Sequence, residues 1–200
     1  MRRVLGACVH CANFVSTDEL RFPWRPLLER WSRAWLQDTD YAMQLPEAVV
    51  ESGWLGYPPA TDDEIAAAEQ RLGTVLPASY RAFLRVTNGW RPTSPFIERL
   101  WGTDDLEWLS VRNQHLISVW TSDEMPDCWE RRALPGALEV SDWGDAALYV
   151  LHPGAVRDDG EWEAAFFASW YPGARVYGSF WELMAAEYES FVQLRGDKQR

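Results

Sequence analysis

Residues 61–89 constrain this chain more than any other stretch of it. Thr61-Asp62-Asp63-Glu64 has the form of a capping box: the threonine hydroxyl takes an orphan amide of a first helical turn and Glu64 reaches back. Three carboxylates in that turn also suit the positive end of a helix dipole. Ile65, Ala68 and Leu72 then form a buried stripe, and Gly73 stops the helix where a left-handed residue is needed. Pro77 opens a second helix at the first position, which proline favours. Tyr80, Phe83, Leu84 and Thr87 recur on one face, and Asn88-Gly89 ends it. Two short amphipathic helices joined by a tight Gly-x-x-Leu-Pro link are a helical hairpin.

The flanks obey different periods. Before the hairpin, Pro26 to Asp38 reads as a helix with Leu27, Leu28, Trp31 and Trp35 on its apolar face, and Pro46 to Glu51 adds a helical turn. Gly53 to Pro59 is punctuation. After the hairpin, Phe96 to Trp101 reads as a strand and residues 106–120 keep a helical period interrupted near Ser110. Residues 121–136 read as loop. Leu138 to Ser141 and Ala146 to Leu151 are strands around a tight Trp143-Gly144-Asp145 turn, with Gly144 as the positive-φ residue. Trp162, Ala164, Phe166, Ala168 and Trp170 alternate over a strand with one aromatic face. Ser179 and Glu182 form a capping box for a last helix that buries Phe180, Leu183, Met184, Tyr188 and Phe191. Helices, then an antiparallel meander, then a helix make an α+β chain.

The 200 residues favour one domain. The expected division is a helical N-terminal extension over 1–50 packed on the domain, the domain proper over 51–195, and a fraying tail over 196–200. No apolar stretch approaches the ~20 residues of a membrane span. Net charge is −11, and residues 101–170 carry four Arg against fourteen Asp and Glu while the remaining segments sum to nearly zero. Such acidity argues against direct nucleic-acid binding, which needs cations to displace phosphate counterions. It suits a basic partner that the field would orient. Three Cys with no clear signal peptide indicate a reducing compartment. Only seven residues precede Cys8 of the lipoprotein-like Leu5-Gly6-Ala7-Cys8 box, fewer than a leader needs, so a cytoplasmic protein is expected. Cys8 and Cys11 have the spacing of half a zinc site, and only Cys128, His115 and His152 could complete it; neither metal nor cofactor is expected.

The ordered motifs resemble the SUKH superfamily. They are Glu64-Ile65 to Glu69, Leu72-Gly73 to Leu76-Pro77, Tyr80 to Asn88-Gly89, Trp143-Gly144-Asp145 before Leu148 to Leu151, and Ser179 to Leu183. They span about residues 54–194 and leave the first 50 outside. The resemblance implies a mostly antiparallel sheet flanked by helices, here with an extra helical N-terminal segment. It also implies a binding scaffold without general enzymatic activity. Bacterial relatives are typically immunity proteins that bind and block the toxin domains of polymorphic or contact-dependent systems, and fungal relatives regulate cell-wall assembly.

The expected function is therefore non-enzymatic neutralisation of a basic, nuclease-type toxin domain. The alternatives are a regulatory scaffold on a host complex, or a carbohydrate-binding or hydrolytic module. No catalytic residue is assigned, since neither a Gly-x-Ser-x-Gly elbow nor a phosphate-cradling loop occurs. The candidate partner-binding residues are Asp104, Asp105, Glu107, Trp108, Asp158, Asp159 and Glu161. Trp31, Trp35, Trp162 and Trp170 are expected in the core. Trp90, Trp101, Trp108, Trp120, Trp129 and Trp143 sit at element edges, where some can anchor a partner. Membrane binding is not expected, and oligomeric state is left open.

Overall fold

Helices enclose the molecule from its first described element. The computed structural model describes residues 20–171 and 173–198. Cys8, Cys11 and the lipoprotein-like box fall outside that range. In chain order come α1 (Trp24–Leu36), α2 (Thr39–Ala42), α3 (Glu47–Ser52), α4 (Asp62–Leu72) and α5 (Ala78–Val86). After a long connection follow β1 (Glu107–Trp108), α6 (Leu109–Arg112), α7 (Gln114–Trp120), α8 (Trp129–Ala133) and a 3-10 turn over Leu134–Gly136. The chain closes with β2 (Leu138–Glu139), β3 (Ala147–Val156), β4 (Trp162–Ala168), β5 (Arg175–Tyr177) and α9 (Phe180–Lys198). The hairpin α4–α5 forms as its sequence dictates: the Thr61/Glu64 capping box closes on both sides and Gly73 takes φ +69°.

The five strands form one antiparallel sheet in sequential order, β1-β2-β3-β4-β5. Register decides which residues face which layer. Tyr149 lies opposite Phe166 and Leu151 opposite Ala164, and these point to the larger core with α1, α5 and α9. Their neighbours Leu148, Val150, Ala165 and Phe167 point the other way, onto Leu109, Leu116, Leu134 and Ala137 of the α6–α8 side. The sheet is thus covered on both faces, and the fold is α+β with a helical segment ahead of the hairpin. Trp24 ties that segment in. It is buried among Phe83, Phe180 and Trp181, and its indole N–H donates to the Ser79 carbonyl at 3.0 Å.

Five sequence expectations are corrected. Residues 96–101 make isolated bridges, Ser94 with Ile97 and Leu100 with Trp90 and Ser141, and no strand. Pro92 and Pro95 lack the N–H groups a ladder requires. The 106–120 helix is instead β1 and two short helices, because the Asn113 side chain accepts from the Leu116 amide and starts a new helix. Part of the presumed loop 121–136 is helical, as α8 and the 3-10 turn; five residues are too few to show a period. In the β2–β3 turn the positive-φ residues are Asp145 (44°) and Ala146 (54°), not Gly144. Gly144 is required for another reason, since a Cβ there would strike the Phe96 carbonyl. The period-two stripe also ends early: Trp170 lies past β4 and is 51% exposed, whereas Trp31, Trp35 and Trp162 are core.

Candidate functional site

The two acidic clusters singled out above sit on different elements. Asp104 is exposed in the turn before β1. Asp105 pairs with Arg99 at 2.8 Å, and its carbonyl accepts from Arg112. The Glu107 carboxylate accepts the Trp108 amide at 2.8 Å, and the half-buried Trp108 indole donates to the Leu72 carbonyl at 3.2 Å. Asp158 and Asp159 are exposed in the β3–β4 turn, where Asp159 pairs with Arg21 at 2.6 Å. Glu161 faces inward at 1% exposure and accepts from the Ser79 amide (2.9 Å) and hydroxyl (2.5 Å). It does for α5 what its own N-cap, Pro77, has no side chain to do. Among the described residues no hydrogen bond or ion pair joins the two clusters.

The acidic segment therefore has two populations. Asp104, Asp123, Glu124, Asp127, Asp145, Asp158 and Asp159 are exposed. Glu130, Glu139 and Glu161 are buried and tied to the interior. Glu139 takes Arg112 at 3.0 Å and the Trp101 indole at 3.2 Å. Burial nevertheless pushes its carboxyl above the usual range, against the lowering pull of those two partners. The family-type motif residues serve the interior as well. The Tyr80 hydroxyl donates to the Trp101 carbonyl at 3.0 Å. Asn88 clamps Thr103, accepting its amide at 2.7 Å and donating to its hydroxyl at 3.1 Å. Gly89 takes φ +99° where a Cβ would press on the Leu100 carbonyl.

A cavity of about 460 Å³ opens between α9, the end of β4, β5 and the loop at Ser94 to Phe96. That volume is within the usual range for ligand pockets, about 300–1,000 Å³. Its walls include Tyr41, Phe96, Phe166, Trp170, Phe191 and Leu194. β4–β5 register puts Arg175 opposite Phe166, and its guanidinium lies 4.6 Å from that ring centroid. From α9, Glu187 at 5% exposure pairs with Arg175 at 3.2 Å and accepts the Tyr149 hydroxyl at 3.0 Å. Tyr149 also meets the Thr93 hydroxyl at 3.1 Å. Burial raises the Glu187 carboxyl against the pull of Arg175, and it raises the Tyr149 phenol further, with the Glu187 charge adding to it. The pair still has unused capacity: Glu187 Oε1 and Arg175 Nε are buried without a hydrogen bond.

Trp170 forms part of the cavity wall, and its indole donates to the Asp145 carbonyl at 2.8 Å. Tyr171 follows, also exposed. Trp143, 39% exposed, stacks on Phe167 of the opposite sheet face. Of the edge tryptophans, Trp90 is buried under Trp54, while Trp101, Trp108, Trp120 and Trp129 are half-buried. The cavity escaped the sequence reading because Arg175, Glu187 and Phe96 belong to three separate elements with no shared motif. Among the described residues no group of three or more His, Cys, Asp or Glu lies together as a metal site would need. No helix among them is long and apolar enough to cross a membrane.

The sequence model of the SMI1 / KNR4 family (SUKH-1) matches residues 59–190. That range starts just ahead of the Thr61 capping box and ends within α9. No curated protein matches the chain.

Proposed function

Because the chain belongs to the SMI1 / KNR4 family (SUKH-1), we propose that it is a non-catalytic binding protein of the immunity type, acting in a bacterial cytoplasm on the toxic domain of a polymorphic or contact-dependent system. The family match is the observation that carries this reading, by analogy at the level of the fold. The surface supports it. Exposed acids of 101–170 far outnumber the exposed cations of that segment, which suits a basic partner such as a nuclease domain. Asp104, Asp105, Asp158 and Asp159 are members of the proposed contact set with exposed side chains. Trp143 and Trp170 are the anchors available for the centre of an interface, since exposed tryptophan dominates binding energy where it becomes buried. The bound protein covers or distorts the toxin's active site.

Co-expression tests the reading. Where a toxic domain is encoded beside this chain, cells producing that domain are expected to survive when the chain is present and die when it is absent. Death in both cases, with the two proteins expressed and folded, removes the immunity reading. Recovery with a housekeeping complex in place of a toxin favours the regulatory scaffold.

A further inference from the structure

The cavity between α9 and the end of the sheet has features that the interface reading does not use. Its walls are aromatic and aliphatic, yet its charges do not cancel. Glu187 is balanced by Arg175: Oε2 accepts the Tyr149 hydroxyl, and Oε1 lies 3.2 Å from Arg175 as an ion pair without a hydrogen bond. That leaves Arg195, which also lines the cavity. Its guanidinium lies 5.5 Å from the Phe191 ring centroid and has no hydrogen bond or ion pair among the described residues. Arg175 adds a buried Nε–H with no acceptor. Among the described lining residues, two guanidiniums against one carboxylate leave one positive charge beside an apolar chamber, where an anion is held more strongly than in water.

We propose that this cavity binds a small amphipathic monoanion, a flat apolar body carrying one carboxylate or sulfonate. The body lies among Phe96, Phe166, Trp170 and Phe191, and the acid group reaches Arg195 with Arg175 behind it. Size supports a small molecule over a peptide, because about 460 Å³ takes one drug-sized body. Charge complementarity selects the anion over a neutral apolar ligand of the same shape. The site shares Trp170 with the proposed interface, but its test needs no toxic domain, so failure of one reading does not decide the other.

A matched pair of fluorescent probes tests this on the full chain. 8-Anilinonaphthalene-1-sulfonate carries the acid group, and N-phenyl-1-naphthylamine has the same rings without it. The expected result is one saturable site that prefers the sulfonate. Arg195→Gln weakens the sulfonate by about tenfold and leaves the neutral probe unchanged. Arg195→Lys restores part of the loss. Ser190→Trp, which fills the cavity from α9, abolishes both signals while the thermal midpoint reports a folded protein. A Ser190→Trp protein that fails to fold is replaced by Leu194→Trp on the same wall, with the same expectation. Equal affinity for both probes, sulfonate affinity unchanged in Arg195→Gln, or binding that survives a filled cavity in a folded variant overturns the proposal.

Discussion

Ala146 is a residue whose backbone works against its side chain. With Asp145 it forms the two central positions of the β2–β3 turn, both at positive φ, between the Gly144 carbonyl and the Ala147 amide at 2.8 Å. A primed turn of this kind matches strand twist, but an alanine in the left-handed region is disfavoured by about 1–2 kcal/mol. Ala146→Gly is expected to raise stability by about 1 kcal/mol, read as a higher urea midpoint with an unchanged slope; a lower midpoint contradicts this account of the turn. Glu139 shows a second residue-scale effect. Burial holds its carboxyl above the usual 4.5, so the folded chain keeps that proton to higher pH than the unfolded chain. Its contribution to stability is full below the unfolded value and lost as pH rises through the folded one. Glu139→Gln has no proton to lose. Wild type should therefore lose stability relative to that variant as pH rises above the ordinary carboxylate range of about 4, and a constant gap across the series would count against it.

Between elements, Glu161 is the clearest joint. It stands at the start of β4 and satisfies the N-terminus of α5, linking the sheet to the helical hairpin. Glu161→Ala orphans a buried amide and is expected to cost about 1–3 kcal/mol, whereas Glu161→Gln keeps one acceptor and costs less. Equal losses for the two in urea titrations would mean that the carboxylate does not cap the helix. The same joint shows where sequence reading reaches its limit. Hairpin α4–α5 was legible because its signals are local: Thr61 and Glu64 three apart, Gly73 at the stop, apolar positions at helical spacing. Strand β4 was legible by its alternation, but its opposite face was not, since Ala165 and Phe167 are buried only because α6–α8 fold over them. Glu161 read as one more surface acid because its partner, Ser79, is 82 positions away in sequence. The cavity was hidden for the same reason, its polar pair being assembled from β5 and α9.

On the scale of the whole molecule, the acidity of residues 101–170 divides by burial. Part of it builds the interior at Glu130, Glu139 and Glu161, and the exposed remainder gives the surface its field. Membership of the SMI1 / KNR4 family (SUKH-1) covers the hairpin and the sheet, and α1 packs onto the same core through Trp24. On the function proposed above, the exposed acids and Trp170 are the groups that would meet a basic partner. Steering by exposed charge acts on the association rate and is weakened by salt. The most direct test is stopped-flow association with the cognate toxic domain from about 0.05 M to about 0.5 M salt, in wild type and in a chain carrying Asp104→Asn, Asp158→Asn and Asp159→Asn. The wild-type rate is predicted to fall tenfold or more across that range, on the order expected for steered encounters, and the neutralised chain is predicted to start slower and fall less. A rate indifferent to salt in wild type, or identical in the two proteins, would contradict the account.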